Sequence, residues 1–485
     1  MKTYILAVSL AITGIAQAQT YSDALRYSNL QYSGSARFSA MGSSMGALGA
    51  DLSAVSVNPA GAAFYRKDEV VLSTGLNFNN TSSNYNNTIT KDSRVNFNLN
   101  QLGYVSANLL TDTANKWKGF SLGFNYNRNN NFYKNTSIGG LSSGSSIADE
   151  FAMKAQGTAP TQLDPYTTLL AWNTYLIDAV PTSSGTYFAN KPVKGINQEK
   201  YINATGAMSE FNGFVAGNYD NKLFVGASVG AQYINYTEKL TYYESKKSTD
   251  TTSVIKNVAY TENLNTQGKG WFLNIGAIYR PTSFVRLGAS LRTPTYFNLK
   301  DTYSTSMTTN FTKKFTNAPD TSITANSNEG KFDYTLTSPV HATASVGFVI
   351  GKLGLLNIDY ELINYKKAHF APSKSFSTTN TEITAQGTTT QNLRVGAEAR
   401  LDKKFSLRGG VGIYGEAFKQ NLNLSKYRMS YSGGIGYRTG RYIIDAAVIY
   451  ATTQQNYYLY SPTLVNASQI TTSNVNAVLT LGLRF

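Results

Sequence analysis

The chain has no cysteine and only two histidines, His341 and His369, in 485 residues. Without thiols there is no disulfide framework, no thiolate nucleophile, no cysteine-held iron–sulfur centre and no lipid-bearing N-terminal cysteine. Two histidines are too few for a histidine-based metal site. No Ser/His/Asp spacing, no G-x-S-x-G and no metal-ligand cluster occurs, so no catalytic residue, metal or cofactor is expected. His341, on the polar parity at the start of a strand, is the one residue on which a barrel hydrolase would be built, and no partner motif supports it.

Long apolar runs are missing too. After residue 18 no stretch of about 20 apolar residues appears, which excludes a membrane-spanning helix. A spanning barrel strand is not excluded, because it needs only about 9–11 residues with every second one apolar. Acidic residues are the scarcer charge, 28 against 43 basic, a net +15. No basic helix or Lys/Arg cluster stands out, so nucleic acid is not an expected partner. Attraction to anionic headgroups or to carboxylate substrates fits the excess better.

The residues that are present fall into three parts. Residues 1–18 read as a secretory signal peptide: Lys2, an apolar core over Tyr4–Ile15, and Ala16-Gln17-Ala18 as a small-x-small cleavage site. Residues 19–66 hold a small-residue segment, Gly34–Phe64, that alternates poorly and is predicted to plug the lumen of a barrel made by the remaining chain. In it Met41, Met45 and Leu48 predict a helical stripe, Asp51 a cap for a short helix over Leu52–Ser56, and Asn58-Pro59-Ala60-Gly61 a turn.

Residues 67–485 read as that barrel. Fourteen segments alternate, from Val70–Phe78, Val95–Leu109 and Phe120–Arg128 to Val475–Phe485. The fold class is therefore all-β: a 14-stranded antiparallel transmembrane β-barrel with a small N-terminal helical hatch inside its lumen. Connections alternate short (Asp220–Lys222, Asp402–Lys404) and long (Asn79–Ser93, Asn129–Ser209, Thr302–Lys331), as barrels of the outer membrane do. The polar face is often small, as at Gly226, Ser228, Gly230, Gly410, Gly412, Ser432 and Gly434, which leaves room in a lumen.

The same face gathers Arg286, Arg292, Asp359, Glu361, Arg394, Glu398, Arg400, Arg408, Asp445 and Arg484. Two readings stand side by side. One is an ion-pair network bracing the wall and gripping the hatch. In the other Arg286, Arg292 and Arg394 hold a ligand carboxylate. In the longest loop, 129–209, Asp164-Pro165 opens a predicted helix carrying Leu169, Trp172, Leu176 and Val180 and closed by Pro181. It either covers the barrel mouth or offers an apolar landing site to a ligand.

The NPAG of Asn58–Gly61 after a Gly/Ala-rich segment, directly before a first barrel strand, resembles the FadL/TodX family of outer-membrane transporters of hydrophobic compounds. DALRYS at Asp23–Ser28 with ARFSAMGSSMGALGADLSAVSVNPAG at Ala36–Gly61 looks like its Bacteroidetes-type members. The resemblance implies passive import of hydrophobic molecules, such as long-chain fatty acids, across the outer membrane of a Gram-negative bacterium. Capture at external loops, binding in the lumen and hatch-gated lateral release would succeed one another. The gate would be Asn58, Pro59, Ala60 and Gly61. A kink in the third strand, Trp117–Tyr133, would involve Gly119, Gly123 and Asn125, whose smallness makes a gap or bend easy.

The implied partners are a hydrophobic small molecule, outer-membrane lipids and lipopolysaccharide, and the barrel-assembly machinery through the terminal aromatic Phe485; the barrel would act as a monomer. One departure stands out: the longest loop here follows the third strand, whereas the family's ligand-catching loops follow the fifth and seventh. A general diffusion porin and a shuttle barrel of a type IX secretion system are the competing readings.

Overall fold

The structure is a computed structural model that describes residues 21–112, 114–142, 144–181, 185–192, 194–313, 320–417, 419 and 427–485. The expected signal peptide lies outside the described residues.

Alternation of side chains along the chain produces fourteen barrel strands among the described residues. They are β1 (Glu69–Tyr85), β2 (Thr88–Leu109), β3 (Trp117–Asn131, continued by Lys134–Ser142), β4 (Ile196–Tyr219), β5 (Leu223–Lys246), β6 (Ile255–Tyr279) and β7 (Val285–Arg292, continued by Tyr296–Phe311). The rest are β8 (Gly330–Thr337, continued by His341–Ile350), β9 (Gly354–Asn364), β10 (Thr389–Arg400), β11 (Phe405–Gly415), β12 (Tyr427–Arg438), β13 (Tyr442–Tyr457) and β14 (Ser468–Arg484). Each pairs antiparallel with its neighbours, and β1 closes on β14 in a register running from Glu69↔Arg484 to Asn84↔Gln469. Closure of β14 on β1 removes the two free edges that the first and last strands of an open sheet would expose.

The short turns lie at one end and are tied to one another by backbone hydrogen bonds. Asp220 N donates to Lys116 O (2.7 Å), Arg280 N to Lys222 O (2.7 Å) and Arg438 N to Lys404 O (2.8 Å). Phe485 N donates to Asp68 O (3.1 Å), so the barrel begins and ends on this rim. At the other end the strands run long, and the connection expected over Asn79–Ser93 is strand except for a two-residue turn. It closes at Asn86 and Asn87, both in the left-handed region (φ 47° and 64°), the pairing that a two-residue hairpin matched to strand twist requires.

An apolar belt girdles the outside. Leu72, Leu76 and Phe78 of β1, Leu122 and Phe124 of β3, Leu273 and Ile275 of β6, and Leu479 and Leu481 of β14 are all exposed. Each would forgo about 1.5–3 kcal/mol of burial in water, and an outward apolar band of this kind is the pattern of membrane barrels. Above Phe78 the outward residues of β1 become Asn80, Ser82 and Asn84. The wall thus continues beyond the belt as a polar rim.

The longest loop roofs that rim. Helices α3 (Ile147–Ala155) and α4 (Thr168–Asn173) pack Phe151 and Leu170, with Leu176 beyond the second helix, against Tyr242, Tyr260 and Met307 of the strand ends. A capping box of Ser146 and Asp149 starts α3, and Glu244 accepts from Ile147 N at 2.9 Å, fastening it to β5. The predicted helix through Leu176 and Val180 is cut short. Asp164 Oδ1 instead accepts from Tyr166 N within a turn (2.8 Å). Tyr175 takes φ 56°, which no α-helix continues, and Ile177–Ala179 is strand.

Candidate functional site

The hatch is built from short pieces because its backbone reverses often. α1 is Tyr21–Ser28 and α2 only Ala36–Ala40. Gly42, Ser43, Gly49 and Ala50 all have positive φ, so Met41, Met45 and Leu48 do not form the one helical stripe that their spacing predicts. They are nevertheless buried together, with Phe38, Ala54 and Val57. Asp51 caps a 3₁₀ turn over Leu52–Ser56 as expected, accepting from Ser53 N at 3.0 Å. Asn58 caps a second one over Pro59–Phe64, with Oδ1 accepting from Ala60 N at 3.1 Å.

Gly226, Gly276 and Gly410 of the wall do not leave an open lumen. They form the seat on which the hatch backbone rests. A β-carbon at Gly276 would lie 2.0 Å from Asn58 Oδ1, and one at Gly410 would lie 2.1 Å from Gly42 N. Any side chain at either position pushes the hatch off the wall. Asn58 is fully enclosed, its Nδ2 donating to Gly46 O (2.7 Å) and to the wall carbonyl of Ala277 (3.3 Å). The expected gate residues Asn58–Gly61 are therefore docked against β5 and β6.

The inward charges pair with one another and with the hatch. Arg37 Nε donates to Glu398 Oε2 (2.9 Å), which also accepts from Arg408 Nε (2.8 Å), and Arg408 reaches Asp445 (2.6 Å). Asp359 accepts from the backbone N–H of Met45 (3.0 Å) and Gly46 (3.2 Å). Glu361 gathers Arg394 (3.1 Å), His341 Nδ1 (3.1 Å), Asn392 (2.9 Å) and the hydroxyl of Tyr32 (3.0 Å). Glu210 binds Arg292 (2.7 Å), Ser56 (2.8 Å) and Asn129 (2.7 Å). Arg286 donates to Leu48 O at 2.6 Å and lies over the Phe64 ring. These groups engage the wall, the hatch, or both.

Above the hatch lies a cavity of about 700 Å³. Gln31, Tyr32, Ser33, Ser39 and Ser43 form its floor, and Ser22 and Arg26 of α1 form one side. The rest of its wall is rich in asparagine: Asn77 and Asn79 of β1, Asn98 and Asn100 of β2, Asn129 and Asn131 of β3, Asn474 and Asn476 of β14. None of these asparagines is singled out as a site residue by the sequence alone, although the signal is present. Four neighbouring strands carry asparagine at every second position, which a period of two places on one face. The carboxamides of Asn77 and Asn474 donate to each other at 3.0 Å, each way. Arg286, Arg292, Arg394, Leu169, Trp172 and Leu176 do not line this cavity. Tyr32 separates it from Arg394, whose guanidinium stands 4.8 Å from the centre of the ring.

The wall parts beside the cavity. The β2–β3 ladder runs from Leu109↔Gly119 to Gln101↔Asn127 and stops there, although β2 continues to Thr88. It passes unbroken through Gly123 and Asn125, and the carboxamide of Asn125 donates to Leu52 O of the hatch (2.8 Å). Against β4 the register of β3 shifts at Trp117/Gly119, which takes in Gly119 of the expected kink, and again at Arg128/Asn130, while Gly123 and Asn125 pair in register. Beyond the ladder, Lys134–Ser142 leans over the outer ends of β1 and β2 through side-chain bonds. Thr81 donates to Asn135 O (2.9 Å), Arg94 to Asn135 Oδ1 (3.1 Å) and Asn131 to Asn96 Oδ1 (3.1 Å). Cavity residues Asn98 and Asn100 stand on one side of the parting, Asn129 and Asn131 on the other.

No family model matches the chain, and no curated protein does. Solved structures do. The toluene transporter TodX of Pseudomonas putida is 13% identical, with a TM-score of 0.53, the match covering 94% of this chain and 99% of that one. The toluene transporter TbuX of Ralstonia pickettii is 15% identical, with a TM-score of 0.50 over the same shares. A FadL homologue of Pseudomonas aeruginosa is 12% identical, with a TM-score of 0.53, again over 94% and 99%. With its fourteen strands, its seated hatch and this likeness along nearly the whole length, the chain has the FadL/TodX-type fold.

Proposed function

We propose that this protein lies in the outer membrane of a Gram-negative bacterium and passively admits small molecules of hydrophobic character. The observation that carries this reading is the placement of the cavity: closed below by the hatch and flanked by the parting of β2 and β3. A molecule held there has a short way out through the wall once the hatch and the side chains bridging the parting shift. The apolar belt supports the membrane location, and the described activities of TodX and TbuX, toluene transport, support the kind of cargo. The family resemblance names long-chain fatty acids as one such cargo. Phe485, exposed at the rim, is available to an assembly machinery during insertion.

Purified protein in liposomes tests the reading. Entry of toluene or decanoate above protein-free vesicles, with little ionic current across a planar bilayer, is the expected pair of results. Large steady currents would instead favour the diffusion-porin reading.

A further inference from the structure

The outer wall bears a groove of about 1140 Å³ that uptake leaves unused. Tyr233, Lys269, Asn298 and Thr335, which line it, stand opposite one another on successive strands β5–β8. One step farther from the short turns, Asn235, Gln267, Lys300 and Asp333 line it in the same way.

The depth of the groove follows from β6. Its outward side chains, read from the turn end, are Tyr279, Ala277, Ile275, Leu273, Trp271 and then Lys269. Tyr279 and Trp271 are both exposed. At the usual rise and tilt of a barrel strand they lie about 20 Å apart along the barrel axis, close to the height of an apolar band between its two aromatic girdles. Phe211 of β4 and Tyr296 of β7, exposed as well, stand level with Trp271. Lys269 is one outward step above this aromatic row, where lipid headgroups begin.

The groove is positive. Arg128, Lys269 and Lys300 line it, and Asp333, opposite Lys300, is the one carboxylate among its lining residues. Arg128 borders the inner cavity too, whereas Lys269 and Lys300 are exposed and line the groove alone. The two lysines are diagonal neighbours on adjacent strands, a separation of about 7–8 Å, so one phosphate between them can accept from both ammonium groups. The neutral lining of Asn235, Gln267, Asn298 and Thr335 donates and accepts, which suits the hydroxyls and amides of a sugar. Below, the exposed Leu273 and Ile275 offer a wall to acyl chains. A hydrocarbon cargo uses neither the cations nor the amides.

We infer that this groove binds lipopolysaccharide by a phosphate on the sugars of its lipid anchor. The phosphate bridges Lys269 and Lys300, the sugars lie along the polar rows, and the acyl chains run down over Trp271, Leu273 and Ile275. This rests on the outer-membrane placement proposed above and not on the identity of the cargo.

The test is binding of lipids to the purified full chain in detergent micelles, read by native mass spectrometry. The probes are bisphosphorylated lipid A, lipid A stripped of its phosphates, and phosphatidylglycerol. Bisphosphorylated lipid A is expected to bind at least tenfold more tightly than the other two. Lys269→Gln together with Lys300→Gln is expected to weaken it at least tenfold, and Lys222→Gln, on the short-turn rim, to leave it unchanged. Lys269→Arg with Lys300→Arg keeps both charges and is expected to retain binding. Equal binding of the stripped lipid or of phosphatidylglycerol, or undiminished binding to the folded glutamine variant, overturns the inference. Toluene entry into liposomes is followed with the same preparations. Entry without lipid A binding sinks the inference and leaves the uptake reading standing; lipid A binding without entry does the reverse. Recovery of the chain outside the outer-membrane fraction of its cells would remove the placement on which both depend.

Discussion

Arg37 of the hatch and Glu398 of β10 form a buried ion pair, Nε to Oε2 at 2.9 Å, with side chains only 5% and 4% exposed. Glu398 keeps a second arginine, Arg408, at 2.8 Å. The wall pair therefore survives loss of the hatch partner, and Arg37 is the half whose removal loosens the hatch alone. Arg37→Ala is expected to weaken hatch docking by about 1.5–3 kcal/mol, the range for a hydrogen bond to a charged group. Hydrogen exchange across Ala36–Phe64 should quicken, while the strands stay as protected as before.

The glycine seat gives a steric counterpart. Gly410→Val and Gly276→Val each place carbon where hatch atoms lie 2.0–2.1 Å from the β-carbon. Both variants should fold as barrels and conduct ions better than the parent in a planar bilayer, because the hatch no longer fits. Unchanged conductance with the variant inserted would mean that the hatch re-seats without leaving a path.

The lumen arginines should behave as structure. Arg292→Ala leaves Glu210, fully buried, without its cation, and Arg394→Ala does the same for Glu361 apart from His341. Uncompensated burial of a carboxylate costs about 3–5 kcal/mol. The expected outcome is a lower unfolding temperature in detergent, with binding of toluene in the cavity altered little. A large loss of affinity at unchanged stability would restore these arginines as ligand groups.

The parting of β2 and β3 separates holding from release. The side chains of Asn96 and Asn131 meet across it at 3.1 Å. An Asn96→Cys, Asn131→Cys pair, in a chain with no other cysteine and joined by a short thiol-reactive crosslinker, should slow entry into liposomes while leaving equilibrium binding intact. Loss of binding and entry together would place the route elsewhere.

Much of the fold was legible in the sequence, for identifiable reasons. Strand alternation has a period of two whatever the fold. Short turns such as Asp220–Lys222 are too brief to hide, and the inward parity of Glu361, Arg394, Glu398 and Arg408 came with them. Parity does not say what lies across the lumen, however. Gly226 and Gly410 read as empty space because their occupant, the hatch, comes from residues far away in the chain. Nor does spacing reveal positive φ at non-glycine residues. Ser43 and Tyr175 each stopped a helix that periodicity alone carried forward. The asparagine lining was visible strand by strand. Its meaning needed the closure of β14 on β1, which sets four such strands side by side.

The claim that a docked hatch must move for a molecule to pass has one direct measurement. Ala47 of the hatch comes within 3.3 Å of a β-carbon placed at Gly347 of β8, close to the roughly 3.5–4.5 Å separation of bridged cysteines. In an Ala47→Cys, Gly347→Cys variant, uptake of toluene into liposomes is measured before and after oxidation, and again after reduction. Uptake is expected to fall to the protein-free level when the crosslink forms and to return when it is reduced. Undiminished uptake through a barrel whose hatch is shown to be crosslinked would contradict it.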